Sequence, residues 1–470
     1  MSLEKTDPRA RRFFDGIRGK HIALCGVGVS NRPLVDLFLQ KGAFVTVCDR
    51  KERPGFGGLP EELEKLGAEV RFGPDYLDHL AADIVFRAPG MYFLSPEITQ
   101  LREQGLIVTS EMEVFFDLCP AKIYGVTGSD GKTTTTTLIA EMLRAAGKTV
   151  HLGGNIGRAL LPEIENIRPD DFAVVELSSF QLISMRKSPD VAVITNVAPN
   201  HLDVHRDMEE YIDAKRNLYE HQNAFSRTVL NADNAITAGF APEVRGNCLF
   251  FSRRQPVNGV YLREDGMICA KAGEETQPIL PANEIRIPGD HNVENMMAAM
   301  AALWGEVSPE IMGRVAREFG GVEHRIEFVR ELDGVKWYND SIATSPTRTM
   351  AGLRSFHQKV ILLAGGYDKH IPFTPLAPLV NEKVKLLILT GPTADLIETA
   401  VTSDPDYDPA ALTILRAANL AEAVETARGR AAPGDIVTLS PACASFDAYP
   451  NFEARGDHYK SMVNGFTSRR

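Results

Sequence analysis

The stretch GVTGSDGKTTTTTL, residues 125 to 138, decides the fold of this chain. Its glycines Gly125, Gly128 and Gly131 allow consecutive backbone N–H groups to curl around an anion. The apolar run KIYGV before it predicts a buried strand, and LIAEMLRAAG after it repeats apolar residues at helical spacing. The stretch therefore predicts a phosphate-binding loop that opens a helix, whose N-terminal dipole attracts negative charge.

This loop is a variant of the nucleotide-binding P-loop. The strict template has a glycine at the position of Val126, whereas the glycine here is Gly125, one residue earlier. Lys132 can reach the β and γ phosphates of a nucleotide, and the Thr133 hydroxyl can ligate Mg²⁺. An ordinary glycine-rich turn with a solvated lysine is the alternative, but the complete GKT triplet between a strand and a helix favours nucleotide binding.

Length and composition restrict the class of protein. A chain of 470 residues is too long for one core and suggests three domains. The net charge of −11 argues against a general nucleic-acid surface. Because no apolar run is long enough for a membrane span and the N-terminus lacks the apolar centre of a signal peptide, we expect a cytoplasmic protein without membrane insertion. The six cysteines form no CxxC pair, which favours reduced thiols over a metal site.

Three successive α/β segments are predicted. Residues 1–114 read as a Rossmann-like domain, residues 115–321 as a P-loop-type central ATPase domain and residues 322–470 as a second Rossmann-like domain with a parallel sheet. Residues 241–287 interrupt the central segment with a predicted hairpin. In the first segment Asn31 stands where a dinucleotide fingerprint has its third glycine, which weakens NAD binding without excluding it.

Polar residues at predicted strand ends are candidates for a metal site. Glu176 closes the strand FAVVEL, 44 residues after Lys132, as a metal carboxylate beside a phosphate loop would. His201 follows the next strand, so both side chains can face one Mg²⁺-nucleotide, although a lone histidine is more often structural. Lys215 lies in the middle of a predicted helix between Asp213 and Arg216, and from these neighbours we expect a solvated surface lysine.

A set of sequence blocks along the whole chain resembles the Mur ligases, the ATP-dependent amide-forming enzymes of peptidoglycan precursor synthesis. The blocks are GVTGSDGKTT, GGNIG, ELSSFQL, HLD, DHNVEN, HRIEFV, WYNDSIATSPT, LLAGGYDK and LSPACASFDAYPNFEARGDHY. ELSSFQL and SPACASFD are similar to the members that join D-glutamate to UDP-N-acetylmuramoyl-L-alanine. The GKT loop and DHN are shared with sister ligases that add other amino acids and with folylpolyglutamate synthases, which stay open as alternatives.

The resemblance implies an ATP and metal site. The residues that it assigns to ATP are Gly128, Ser129, Asp130, Gly131, Lys132, Thr133, Thr134, Asn292, Asn295, Arg325 and Asp340. Two Mg²⁺ ions are implied, with Thr133, Glu176, His201 and Lys215 as ligands, and Lys132, His201 and Lys215 as catalytic residues. Lys215 would act as a carbamate formed with CO₂, which turns a cation into an anion able to bind a metal. This implication contradicts the surface position expected from its neighbours.

The resemblance also implies two substrate pockets. Ser30, Asp49, Arg50 and Gly90 match the uridine pocket, and Asn155 and Ser178 match contacts to the muramoyl group. The residues that match the amino-acid pocket are Thr344, Lys369, Ser445, Phe446 and Phe452. If the N-terminal segment holds UDP, its broken dinucleotide fingerprint is explained.

Three positions depart from the family pattern. Asp130 stands where many relatives have an amide, Asn200 replaces the acid before the histidine, and Ile342 replaces a lysine of the third segment.

The resemblance implies a reaction in which a substrate carboxylate attacks ATP and the amine then displaces phosphate from the acyl phosphate. It also implies a monomer whose outer domains close over the middle one. A non-catalytic nucleotide switch and an NAD-linked oxidoreductase are the competing classes, but the first leaves Glu176 and His201 unexplained and the second leaves the GKT loop unexplained.

Overall fold

The computed structural model describes residues 7–156, 158–199, 204–369 and 371–468. These residues form two compact units. The first comprises the described residues up to Ala282 together with Glu294–Val315, and the second comprises Asn283–Val293 together with the described residues from Ala316 onward. The first unit contains two β-sheets and the second contains one.

The N-terminal sheet has five parallel strands in the order β3-β2-β1-β4-β5. The strands are β1 (His21–Cys25), β2 (Phe44–Asp49), β3 (Glu69–Phe72), β4 (Ile84–Arg87) and β5 (Ile107–Thr109). The helices in this part of the chain are α1 (Pro8–Ile17), α2 (Arg32–Gln40), α3 (Leu59–Lys65), α4 (Pro96–Glu103) and α5 (Glu111–Leu118). The strand order reverses between β1 and β4, and ligands of open α/β sheets bind at the carboxyl ends of strands at such a point.

The pattern of apolar residues explains these elements. Strand β1 is buried from Ile22 to Cys25, as expected for a parallel strand covered on both faces. Helix α2 turns Leu34, Val35 and Phe38 into the core at helical spacing. Its Pro33 lies in the first turn, where a missing N–H breaks no helical hydrogen bond.

The central sheet has nine strands in the order β14-β13-β12-β11-β10-β9-β6-β8-β7. The strands are β6 (Lys122–Thr127), β7 (Val150–Gly154), β8 (Phe172–Glu176), β9 (Val191–Ile194), β10 (Arg227–Asn231), β11 (Asn247–Ser252), β12 (Gly259–Leu262), β13 (Met267–Ala272) and β14 (Glu275–Pro281). The helices are α6 (Lys132–Ala145), α7 (Ser179–Leu182), α8 (Met208–Arg216), α9 (Ala235–Ala238), α10 (Asp290–Leu303) and α11 (Pro309–Glu318). Strand β13 pairs antiparallel with both β12 and β14, which confirms the predicted hairpin in residues 241–287.

The C-terminal sheet has six strands in the order β15-β16-β20-β17-β18-β19. The strands are β15 (Glu327–Leu332), β16 (Val335–Asn339), β17 (Val360–Gly365), β18 (Val384–Thr390), β19 (Thr413–Arg416) and β20 (Ile436–Leu439). The helices are α12 (Pro346–Arg354), α13 (Ala377–Lys383), α14 (Ala394–Thr402), α15 (Leu420–Arg430) and α16 (Phe452–Asn464). The four strands predicted for the third segment, β16, β17, β18 and β20, are parallel, and β15 adds an antiparallel edge strand that the sequence did not predict.

The predicted α/β fold class is confirmed, since three β-sheets with intervening helices follow one another along the chain. The domain boundaries near residues 115 and 322 remain predictions. Among the described residues, no helix is both long and apolar enough to cross a bilayer.

Candidate active site

The nucleotide loop runs from Gly128 to Gly131 between strand β6 and helix α6. Gly128 and Gly131 have φ angles of 156° and 79°, which residues with a side chain rarely adopt. A Cβ at Gly131 would lie 2.2 Å from Oδ1 of Asn295, and one at Gly128 would lie 1.9 Å from Oγ1 of Thr195. Glycine is therefore required at both positions, and Asn295 packs directly against the loop.

Lys132 bends back over this loop. Its Nζ donates hydrogen bonds to the carbonyl oxygens of Gly128 and Ser129, at 3.0 and 2.9 Å. Thr133 and Thr134 follow in the first turn of α6 and are buried. The ammonium group thus lies at the N-terminus of a 14-residue helix, where an anion is favoured.

The departure at Asp130 places a charge at the surface. The side chain of Asp130 is exposed, while its backbone is tied to the end of strand β9. Its N–H donates to Oδ1 of Asn196 at 2.9 Å, and its carbonyl oxygen accepts from Oγ1 of Thr195 at 2.5 Å. The loop conformation is therefore held by Thr195 and Asn196, two residues for which the sequence predicts no role.

Glu176 ends strand β8 with a buried carboxylate that is only half satisfied. Its Oε1 accepts a hydrogen bond from Nδ2 of Asn155 at 2.8 Å, and Asn155 is also tied to the Glu176 backbone. Its Oε2 is buried and has no hydrogen-bond partner within the described part of the chain. An unpaired buried carboxylate oxygen costs free energy unless a cation or a donor completes it. The predicted metal role fits this oxygen.

Lys215 corrects the expectation drawn from its neighbours, because it is 1 % exposed and not at the surface. Its Nζ donates to the carbonyl oxygen of Gly128 at 3.0 Å and lies 4.5 Å from the centre of the Tyr211 ring. Burial, together with the positive charge of Lys132, lowers the pKa of Lys215 well below its ordinary value. This shift makes the uncharged amine, which is the nucleophilic form of a lysine, easier to form.

Helix geometry explains why the sequence misled here. Asp213 and Arg216 form an exposed ion pair with each other at 2.6 Å, but Lys215 points to the opposite face. That face also carries Tyr211 and Ala214, and Tyr211 precedes Lys215 by one helical turn. The spacing from Tyr211 to Lys215 was the available signal.

The remaining ATP and metal assignments are placed as follows. His201 and the departure Asn200 lie outside the described residues. Asn292 and Arg325 lie in the second unit, where Nδ2 of Asn292 donates to the carbonyl oxygen of Pro288 at 2.6 Å. Asp340 is 4 % exposed, and this burial raises its pKa to about 7 even though the Ser440 hydroxyl donates to it at 2.7 Å.

The glycine turn after β1 explains the broken dinucleotide fingerprint. Nδ2 of Asn31 donates to the carbonyl oxygens of Cys25, Gly26 and Phe86, at 3.0, 3.1 and 3.2 Å. The side chain thereby joins the turn to strands β1 and β4 at the position where a fingerprint has its third glycine. The carboxylate of Asp49 accepts from the N–H of Val27 at 3.0 Å and holds the same turn.

The other residues predicted for the UDP substrate differ in exposure. Ser30 is partly buried in the turn, whereas Arg50 and Gly90 are exposed. Ser178 caps helix α7 through a reciprocal pair of hydrogen bonds with Gln181. Asn155 donates a hydrogen bond to the Glu176 carboxylate, and Ser178 follows Glu176 by two residues in the sequence, so both residues predicted for the muramoyl group lie near Glu176.

Four of the residues predicted for the amino acid, Thr344, Lys369, Ser445 and Phe446, lie in three loops of the second unit. These loops follow strands β16, β17 and β20, which are neighbours in the sheet. Nζ of Lys369 donates to both the hydroxyl and the carbonyl oxygen of Thr344, each at 3.3 Å. Ser445 is buried, and Phe446 is 63 % exposed with its ring centre 5.9 Å from that of Tyr367. Phe452 begins helix α16 and accepts a hydrogen bond from Ser341 at its carbonyl oxygen.

Arg455 organises these loops and was not selected from the sequence. It is 4 % exposed, and its guanidinium donates to the carbonyl oxygens of Ser341, Cys443 and Ala444 at 2.9 to 3.2 Å. Burial lowers the pKa of Arg455 to about 10. The block NFEARG gives no signal for this role, because the acceptors of Arg455 in the loops after β16 and β20 are brought to it only by the fold.

Comparisons with known proteins agree with this arrangement. Residues 126–303 match the model of the Mur ligase middle domain, and residues 324–443 match that of the Mur ligase glutamate ligase domain. A UDP-N-acetylmuramoylalanine--D-glutamate ligase from Acetivibrio thermocellus is 50% identical over 455 residues, which cover 96% of this chain and 98% of that protein. The ligase of the same name from Clostridium kluyveri (strain ATCC 8527) is 49% identical over 460 residues, with 97% and 99% coverage.

The chain belongs to the UDP-N-acetylmuramoylalanine--D-glutamate ligases of the Mur ligase family. Solved structures of other Mur ligases share its fold. The UDP-N-acetylmuramate-alanine ligase of Thermotoga maritima has a TM-score of 0.58 at 17% identity, covering 95% of this chain and 99% of that one. A UDP-N-acetylmuramoyl-L-alanyl-D-glutamate--2,6-diaminopimelate ligase has a TM-score of 0.57 at 18% identity, covering 95% and 92%.

Proposed function

We propose that this chain is an ATP-dependent, ADP-forming ligase that joins D-glutamate to UDP-N-acetylmuramoyl-L-alanine in peptidoglycan precursor synthesis. The main support for this proposal is the combination of a phosphate loop with the buried, half-satisfied Glu176 carboxylate and the buried amine of Lys215. The identity of the substrates rests on the name shared by relatives that match nearly the whole chain. We place the protein in the cytoplasm as a monomer, with domains over residues 1–114, 115–321 and 322–470.

The residues present fit Mg²⁺ as a bound ion. Oε2 of Glu176 is an orphaned oxygen, and hard cations of this kind prefer oxygen ligands. We assign Thr133, Glu176, His201 and a carbamate of Lys215 as the residues that would hold two ions. When bound, Mg²⁺ would neutralise negative charge on the phosphoryl group that is transferred.

Lys215 is a suitable amine for carbamate formation. Its burial and its lowered pKa favour the uncharged nitrogen that adds CO₂, and the product carries the negative charge that a metal ligand needs. The carbonyl oxygen of Gly128 and the ring of Tyr211 hold Nζ beside the phosphate loop. A lysine therefore stands at a position where a permanent carboxylate would otherwise be expected.

Lys132 and the loop amides are assigned to the phosphates of ATP. Lys132 would exchange its hydrogen bonds to the carbonyl oxygens of Gly128 and Ser129 for phosphate oxygens, with the N-terminus of α6 behind them. The substrate carboxylate then attacks the γ-phosphate, and the amine of D-glutamate displaces phosphate from the resulting acyl phosphate. Exclusion of water protects this acyl phosphate from hydrolysis.

Thr344 and Lys369 are assigned to the side-chain carboxylate of D-glutamate. Their hydroxyl and ammonium groups lie 3.3 Å apart, close enough to share one carboxylate. Ile342 offers no charge in place of the usual lysine, but a guanidinium nitrogen of Arg348 lies 3.2 Å from the Ile342 carbonyl oxygen. Helix α12 thus brings a cation to this loop at a different position.

A phosphate-release assay tests this function. D-Glu, L-Glu, D-Gln, L-Lys, meso-diaminopimelate and L-Ala are each supplied with ATP, Mg²⁺ and UDP-N-acetylmuramoyl-L-alanine, and we expect turnover with D-Glu. Amines without the side-chain carboxylate should react ~30-fold to several thousand-fold more slowly, because they leave cationic groups unpaired. Preference for another amine would assign the chain to a sister ligase, and phosphate release without any acceptor would indicate a nucleotide switch.

Lys369→Ala locates the specificity in the second unit. It should raise the KM for D-Glu at least tenfold while leaving the KM for ATP within about twofold, since one charge-assisted hydrogen bond contributes roughly 1.5–3 kcal/mol. Lys385, which is paired with Asp435, supplies the control variant Lys385→Ala. Equal effects of the two substitutions on D-Glu would refute the assigned pocket.

A further inference from the structure

His205 forms a buried hydrogen-bonded chain next to the proposed substrate site. It is 2 % exposed, and it lies in the connection that leads into helix α8. Its Nδ1 lies 2.9 Å from Oε1 of Glu210, and its Nε2 lies 2.9 Å from Oγ of Ser179. Because a carboxylate only accepts hydrogen bonds, Nδ1 of the imidazole donates to Glu210.

The Glu210 carboxylate is a stable hydrogen-bond acceptor for His205. Burial raises its pKa, but hydrogen bonds from Tyr92, Arg206 and His205 outweigh that effect and lower the pKa to about 2. The Tyr92 hydroxyl, from the loop after strand β4, donates to Oε1 at 2.5 Å. The orientation of the His205 ring is therefore set by a charged acceptor that stays ionised across the working pH range.

On its other side, His205 contacts the segment that follows Glu176. Ser179 begins helix α7, three residues after Glu176, and Phe180 stacks its ring on His205 at 5.2 Å between ring centres with 3° between the planes. The carbonyl oxygen of Phe180 accepts a hydrogen bond from Arg87 of the N-terminal sheet at 3.0 Å. His205 thus fixes both the side chain of Ser179 and the ring of Phe180.

Residues of helix α8 connect His205 to the nucleotide loop. Glu210 contacts His205, and the next residue, Tyr211, has its hydroxyl oxygen 3.0 Å from Oγ of Ser129. Lys215, one turn further, reaches the carbonyl oxygen of Gly128. One short helix therefore contacts both the phosphate loop and the segment assigned to the muramoyl group.

We propose that His205 is a positioning residue for the ligase reaction, which holds the Ser178–Phe180 segment in its substrate-binding position through the Ser179 hydroxyl. This inference rests on the proposed function. Ser179, His205 and Glu210 have the connectivity of a nucleophilic triad, but the His205 side chain is inaccessible and Ser179 is 3 % exposed. No substrate carbonyl can reach Ser179, so the arrangement positions a segment and does not form a covalent intermediate.

Two conservative variants separate the two hydrogen bonds of His205. The side-chain amide of His205→Gln can take the place of Nε2 and contact Ser179, whereas that of His205→Asn can take the place of Nδ1 and contact Glu210. We expect His205→Asn to raise the dissociation constant for the UDP substrate about tenfold, which is the effect of losing one hydrogen bond. His205→Gln should raise it clearly less. Calorimetric titration of the full chain with UDP-N-acetylmuramoyl-L-alanine measures both. The opposite ranking would overturn the proposal, since His205 would then act only by anchoring Glu210.

A double-mutant cycle with Ser179→Ala tests whether His205 acts through Ser179. We expect His205→Phe, Ser179→Ala and the double variant to lose kcat/KM for the UDP substrate by similar factors, with the KM for ATP within about twofold of the wild type. Multiplied losses would show independent structural roles and overturn the proposal. A serine-reactive fluorophosphonate should leave Ser179 unlabelled, and labelling would contradict a positioning role.

His151 provides the matched control. Its Nε2 lies 2.9 Å from a carboxylate oxygen of Asp171, and it is paired with the second residue of β8, at the opposite end of that strand from Glu176. His151→Phe should leave the affinity for the UDP substrate unchanged. If the wild type itself fails the phosphate-release assay with D-Glu, the proposed function is wrong. If the wild type is active and the cycle is additive, only the role of His205 is wrong.

Discussion

The side-chain nitrogen of Lys215 lies 3.0 Å from the carbonyl oxygen of Gly128, within the loop that precedes helix α6. These residues are far apart in the sequence, and the contact buries an amine beside the proposed phosphate site. In the absence of CO₂ the amine lies near a second cation, Lys132, which lowers its pKa further. As a carbamate, the same side chain would carry a charge that complements Lys132 and Mg²⁺.

Lys215→Ala should be nearly inactive, with a loss of about 10² to 10³ in kcat or more, because one ligand of the metal set is removed. Acetate or formate should restore part of the activity by supplying carboxylate oxygens in the vacated space. Phosphate release measures both effects, and Asp213→Ala on the exposed face of the same helix is the control. Full activity of Lys215→Ala in CO₂-depleted buffer would contradict the carbamate.

Lys132→Ala should abolish ligase turnover while leaving the fold intact. Loss of a cation that stabilises the transferred phosphoryl group typically costs about 10² to 10³ in rate. Circular dichroism checks the fold, and substitution of the exposed Lys148 beyond the end of α6 tests for a general charge effect. Near-normal phosphate release by Lys132→Ala would remove the lysine from the phosphate site.

Glu176→Gln should lose activity and gain stability in metal-free buffer. The substitution keeps the shape of the side chain but replaces a buried carboxylate whose Oε2 has no partner among the described residues. Relief of such a group is worth roughly 1–3 kcal/mol. Thermal unfolding with EDTA and with Mg²⁺-ATP measures the effect, and we expect added Mg²⁺-ATP to stabilise the wild type more than the variant. Equal stabilisation of both would exclude Glu176 as a metal ligand.

The stability of the chain should fall as the pH rises from about 4 to about 7, in part because of Asp340. Burial raises the folded-state pKa of this carboxyl to about 7, above its unfolded value of about 3.9. The folded state therefore binds the proton more tightly, and ionisation costs stability over that interval and no further above it. Unfolding midpoints at pH 5 and pH 8 should differ less for Asp340→Asn than for the wild type.

Glu111 supplies the control for this pH dependence. Burial raises its pKa to about 7 as well, although it accepts backbone hydrogen bonds from Leu160 and Leu161, each at 2.8 Å. Glu111→Gln should also reduce the pH dependence of stability over the same interval, and its effect should add to that of Asp340→Asn because the two groups lie in different units. An unchanged pH dependence in Asp340→Asn would show that Asp340 is already ionised in the folded chain.

Local sequence determined the three α/β segments, the phosphate loop and the strand-end carboxylate of Glu176. Each depends on residues close together in the chain: an apolar run for a strand, helical spacing for a helix, and glycines where the backbone must turn around an anion. The antiparallel edge strand β15 was missed, because pairing direction depends on which strand lies beside it and not on its own residues.

Only the tertiary structure decided the environments of Lys215, His205 and Arg455. Their local sequences contain ordinary polar and charged residues. Lys215 and Arg455 lie on helices, which rotate by about 100° per residue, so the exposure of a neighbour does not predict theirs. Each of these side chains is buried by contacts with distant parts of the chain: the Gly128 carbonyl, the Ser179 hydroxyl, and the Ser341 and Cys443 carbonyls. Burial and partner choice depend on such distant contacts, so they follow from the folded arrangement alone.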